Sequence, residues 1–112
     1  MGSYDSDNNI LTILKCELPT GRMEYVNSSW EIQDDPYSGD ALNSYNDGPL
    51  EDGTQMGPFY ELETSSPAAN LKQGESMSHV QFTMHLTGDF MLLDKVSTDM
   101  LGISLEKVIS AF

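Results

Sequence analysis

Cysteine and basic residues are scarce in this 112-residue chain: one Cys, and five Lys and Arg against eighteen Asp and Glu. A lone Cys16 cannot close an intramolecular disulfide or supply a thiolate cluster to a metal. The shortage of basic side chains leaves a formal charge of −13. Such a charge repels phosphate backbones and anionic lipid headgroups, so nucleic acid and membrane surfaces are not expected partners. A neutral ligand such as a saccharide, a cation or a basic protein suits it better. No apolar run approaches the roughly 18 residues that span a bilayer, and the opening MGSYDSDNN lacks the basic and apolar blocks of a secretion signal. No serine sits in a Gly-x-Ser-x-Gly turn and no glycine-rich phosphate loop is present, so neither a hydrolase triad nor nucleotide chemistry is indicated. Internal repeats and low-complexity runs are also missing. One domain, 1–112, is the expectation, with about 65% of its unfolded surface buried.

What is there is mostly strand-like. ILTILKCEL, residues 10–18, is aliphatic and β-branched between an Asp/Asn-rich start and the Pro19-Thr20-Gly21 break. MEYVNSSWEIQ, residues 23–33, places Val26, Trp30 and Ile32 on one side, and predicts a hairpin with the first strand and Trp30 in the core. Residues 34–57 form a long acidic loop in which only Ala41 to Tyr45 reads as a short strand; connections of this length are usually functional or disordered. PFYELETSS follows as a strand. SMSHVQFTMHLTG then alternates Val80, Phe82, Met84 and Leu86 against His79, Gln81, Thr83 and His85, one face apolar and one polar. At Asp89 the period changes. Asp89 caps a predicted helix over FMLLDKVSTDML, Gly102 suits its left-handed end, and Ser104 caps a second with Leu105, Val108, Ile109 and Phe112 on one stripe. Strands followed by helices predict a mainly β fold, an antiparallel β-sandwich with two short C-terminal helices.

Several motifs invite chemistry. DSDNN at residues 5–9 opens like a calcium loop, but Ile10 and Cys16 stand where that loop needs Gly and Glu, so it reads as a solvated turn. Asp34, Asp35, Asp40, Asp47 and Asp52 lack the regular spacing of a metal loop, and no metal or cofactor is expected. His79 and His85, six residues apart on one strand, would lie roughly 20 Å from each other and could not share a metal or a substrate atom. Glu61 and Glu63 are different. One residue apart in YELET, they share a strand face about 6–7 Å from one another. Two carboxylates that close raise the pKa of one member, which suits proton exchange near neutrality. Tyr37 and Tyr45, in the long loop, are placed for ligand contact.

LETSSPAAN at residues 62–70 and LKQGESMSH at residues 71–79 resemble the C-terminal part of the galactose mutarotase (aldose 1-epimerase) superfamily. Leu62, Glu63, Thr64, Pro67, Ala69 and Asn70 match its first block, and Gly74, Glu75 and His79 its second. The run from YVNSSWEIQDDPYSGD through NSYNDGP to GPFYELETSSPAA is similar to longer bacterial mutarotase-like proteins of unassigned function. The resemblance implies the last strands and helices of a β-supersandwich, the C-terminal portion of a longer chain in a bacterial envelope or exported setting. It also implies that Glu63 is the base that takes the proton from an anomeric hydroxyl, the acid histidine belonging to an earlier strand. Ser65 stands where the epimerases show Gln, and Gln73 replaces a turn proline. The resulting expectation is a carbohydrate-associated binding domain in which Glu61, Glu63, Gln81, Tyr37 and Tyr45 meet a saccharide. Two alternatives remain: the base-bearing part of an aldose 1-epimerase or related sugar-modifying enzyme, and a structural domain forming a homodimer through an exposed sheet edge.

Overall fold

Leu11 and Ile13 alternate along one strand and are both fully buried, and the chain's apolar core is built around them. In the computed structural model, which describes residues 1–29 and 31–111, the order is β1 (Gly2–Asp5), β2 (Ile10–Cys16), β3 (Leu42–Asn46), β4 (Tyr60–Thr64), β5 (Gln81–Thr87), α1 (Phe90–Leu101) and α2 (Leu105–Ile109). The fold is therefore mainly β with two short C-terminal helices. The chain parts into two compact units, Met1–Lys15 with Phe82–Phe112, and Cys16–Gln81.

The first unit carries the sheet β1-β2-β5. β1 and β2 pair antiparallel, Gly2 opposite Ile13 and Tyr4 opposite Leu11. β5 lies on the other side of β2 from β1, and Thr12 Oγ1 meets His85 Nδ1 at 3.0 Å. Tyr4, Met84 and Leu86 join Leu11 and Ile13 from the strands, and Leu93, Leu105, Phe90, Val96, Met100 and Leu101 from the helices. The helix boundaries follow the expected caps. Asp89 accepts from the Leu92 amide, Gly102 adopts φ 73°, and Ser104 accepts from the Lys107 amide. Fully buried Ser97 donates to the Ile103 carbonyl at 2.8 Å, and Asp94 accepts from the Leu105 amide at 2.7 Å, which together fix the α1–α2 turn.

The second unit carries the antiparallel pair β3–β4, with Leu42 opposite Thr64 and Asn46 opposite Tyr60. The short strand expected in the acidic loop is β3. Around it the chain is held by single backbone contacts: Gly39 to Tyr25, Asn27 to Pro36, Ser65 to Ala41 and Ala68 to Glu24. Gly39 allows one of them, since a Cβ there would stand 2.3 Å from the Val26 carbonyl oxygen.

Three expectations are corrected. Among the described residues of 23–33 no strand forms beside β2, where β1 sits instead; Tyr25 makes a bridge to Ser38. The reason is local. Asn27 Oδ1 accepts from the Ser29 amide, and the Gln33 amide nitrogen donates to the Asn27 and Ser29 carbonyls, so side chains take the groups a ladder would use. Val26 and Ile32 are accordingly exposed, and the reading of Trp30 as core, like that of Phe112 on the helical stripe, lies outside the described residues. Second, β5 begins at Gln81, leaving His79 off the strand that was to carry both histidines. Third, only Met84 and Leu86 of its apolar face reach the core, while Val80 and Phe82 are exposed.

Candidate functional site

The β3–β4 register decides what can meet Glu61 and Glu63. Residues directly opposite in an antiparallel pair share a face. Asn43 stands opposite Glu63 and Tyr45 opposite Glu61, so these four side chains lie on one face. They line a cleft of about 230 Å³ that Ser28, Ser44 and Met56 complete. Glu61 and Glu63 are exposed there. The Asn43 amide nitrogen donates outward, to the Asp40 carbonyl at 2.9 Å and to Ser65 Oγ at 3.4 Å. The Tyr45 ring rests near that of Phe59, with centroids 6.0 Å apart.

The electrostatics turn on Tyr45. Its hydroxyl donates to Asp47 Oδ1 at 2.6 Å. That bond raises the phenol pKa above its ordinary value, helped by burial and by the negative charges of Asp47 and Glu61. Asp47 shows the reverse. The Tyr45 hydroxyl and then the Gly57 amide hold its carboxyl below the usual carboxylate range, against a smaller opposing effect of burial, with a further contribution from the Met56 amide. The cleft thus presents carboxylates and the lone pairs of a phenol whose proton is already committed, and it calls for a ligand that brings hydrogen-bond donors.

Among the sequence-predicted residues, Glu61, Glu63 and Tyr45 come together in this cleft. Tyr37 and Gln81 are not part of its lining. Tyr37 is exposed, with its amide on Asp35 Oδ1 at 3.3 Å. Gln81 Oε1 accepts from Thr64 Oγ1 at 2.7 Å, and Thr64 projects to the face opposite Glu63. His79 Nε2 meets the same hydroxyl at 2.8 Å. A threonine hydroxyl has one proton, so with that proton on Gln81 the His79 Nε2 carries its own.

The sequence marks Asp47 only as one acid of the long loop, and Thr64, His79 and Gln81 separately; it does not show the Tyr45–Asp47 pair or the meeting of Thr64 with His79 and Gln81. Alternation away from Glu63 could have turned Thr64 to the other face, but its meeting with His79 depends on how residues 65–78 reverse. Among the described residues no three His, Cys, Asp or Glu side chains converge as a metal site, and no helix is long and apolar enough to cross a membrane. A separate cavity of about 310 Å³ in the first unit, lined by Met1, Tyr4, Leu11, Leu101, Leu105 and Val108 among others, brings no carboxylate, imidazole or thiol.

Fold and cleft together define a mainly β protein with an acidic, tyrosine-walled cleft on a two-stranded sheet. The chain belongs to the Family of unknown function (DUF6786), whose model matches residues 1–112. No curated protein and no solved structure matches it.

Proposed function

We propose that the chain is a carbohydrate-associated binding domain, part of a galactose mutarotase-like β-sandwich, whose β3–β4 face takes a single sugar ring. The observation that carries this reading is the convergence of Glu61, Glu63, Asn43 and Tyr45 on one cleft of about 230 Å³. Sites for drug-sized ligands span roughly 300–1,000 Å³, so this one suits one ring rather than an oligomer. Carboxylates beside a phenol accept from adjacent sugar hydroxyls, while the Tyr45 ring and Met56 offer apolar surface to the C–H side. Glu63, in the Leu-Glu-Thr block, is the group the mutarotase resemblance marks as the base.

The test is a backbone amide NMR titration with a panel of monosaccharides. Shifts gathered at residues 43–45 and 61–63, and lost in Glu63→Ala with the dispersion kept, are expected. A well-dispersed spectrum that responds to no sugar would overturn the reading. A full-length parent protein that accelerates anomer interconversion, and loses the acceleration in Glu63→Gln, would assign the same cleft to an epimerase.

A second copy is the other proposed partner. No further described strand pairs with β3 or β4, and open edges accept strands from other chains. Sedimentation that stays monomeric at high concentration would remove it.

A further inference from the structure

Among the described residues Asp47 and Ser97 are the buried polar side chains; Asp47 is 7% exposed, and both of its carboxylate oxygens are used. Oδ1 accepts from the Tyr45 hydroxyl at 2.6 Å and Oδ2 from the Gly57 amide at 2.8 Å, while its own amide donates to the Phe59 carbonyl at 3.0 Å. The intervening loop closes on itself only near its tip. There Leu50 pairs with Thr54, Gly53 donates to Leu50, and Asp52 accepts from the Thr54 amide and hydroxyl. None of these tip contacts reaches the face of Glu61 and Glu63. Met56 does, because it lines the cleft next to Gly57, although the residue is 71% exposed.

We propose that Asp47 is the positioning residue of the cleft, a clasp that seats Met56 as one wall through Gly57 and fixes Tyr45 as the other. This rests on the reading of the cleft as a ligand site, and it adds how the walls are held and what they select. With the Tyr45 proton committed to Asp47, a ligand finds acceptors at Tyr45, Glu61 and Glu63 against the Ser28 hydroxyl as a donor, and must supply most of the donors itself. Hydroxyl-rich or ammonium-bearing rings fit; carbonyl-rich or anionic ones do not. Besides Asp47, the groups facing the clasp are the Tyr45 phenol and Glu61 across the strand pair.

The experiment uses the full chain, labelled on amide nitrogens and methionine methyls. In Asp47→Asn, exchange of the Gly57 amide is expected to rise at least about tenfold and the Met56 methyl to move toward its free-methionine position, while amides of β3 and β4 keep their protection. Unchanged Gly57 and Met56 signals would overturn the proposal. Should the variant lose β3 and β4 as well, the wild-type chain decides. On acidification, the Gly57 amide and Met56 methyl are expected to titrate with the midpoint of the Asp47 carboxyl carbon; following the Glu61 carboxyl, or neither, overturns the clasp. None of these readouts needs a ligand. A working clasp in a chain that binds no sugar would leave the positioning intact and remove the functional reading, and sugar binding with an inert Asp47 would do the opposite.

Discussion

At the scale of residues, the Tyr45–Asp47 pair sets two opposite pH windows. The folded-state pKa of Asp47 lies below its unfolded value of about 3.9, so its stabilisation is present above that value and lost as pH falls through the lowered one. The Tyr45 pKa is raised, so its stabilisation is complete below about 10 and lost as pH rises through the higher folded value. Urea midpoints of the wild type and Asp47→Asn should therefore differ at neutral pH and converge in strong acid. Those of the wild type and Tyr45→Phe should draw together at both limits, in strong acid as Asp47 gains a proton and in strong base as Tyr45 loses one. Comparison with the variant matters because Asp5 and Asp52 are also held low, by the Asn8 side-chain amide and the Thr54 hydroxyl respectively, and contribute to the same acid limb. Ser97 gives a test without titration. Its hydroxyl is the donor to the Ile103 carbonyl from a fully buried position, so Ser97→Ala should cost about 1–3 kcal/mol in chemical denaturation at any pH.

At the scale of elements, the helices were legible because their signals are local. Asp89, Gly102 and Ser104 act within one turn of where they stand, and each holds the cap its residue type suggests. Asp89→Ala should lower stability by about 1 kcal/mol, and Gly102→Ala, which forces a Cβ into the left-handed region, by about 1–2 kcal/mol, both read as shifts of the denaturation midpoint. Strand pairing was less legible because alternation names a strand but not its neighbour. β2 was found and its partner was not: Gly2–Asp5 is too short and polar to advertise itself, yet it occupies the edge that residues 23–33 were expected to take. The site divides in the same way. The shared face of Glu61 and Glu63 follows from parity within one strand. Their meeting with Asn43, Tyr45 and Met56 needs the β3–β4 register and the closing of residues 47–59, which no short-range pattern encodes.

At the scale of the whole chain, buried apolar side chains are unevenly distributed. Leu11, Ile13, Leu14, Leu93 and Leu105 all belong to the unit of Met1–Lys15 and Phe82–Phe112. Among the described residues of Cys16–Gln81 the buried side chain is Asp47, and Leu62 of β4 is half-buried. A two-stranded hairpin without an apolar core is marginal in water, and its stability comes from cross-strand pairs and the clasp. Leu93→Ala should then cost about 2–5 kcal/mol by the cavity it leaves, and Leu62→Ala considerably less. Native-state hydrogen exchange in rising urea tests the same asymmetry amide by amide. Ile13, Leu14 and Leu93 should exchange only through global unfolding, whereas Ser44, Tyr45, Leu62 and Glu63 should open at lower free energy through a local event. Equal opening free energies at the two sets would show one cooperative unit and remove the argument. If the hairpin does open first, a sugar or a second copy bound to β3–β4 should raise protection there before it changes Ile13, because a ligand stabilises the state it binds by the mass-action term alone. Protection that rises uniformly along the chain would place binding elsewhere.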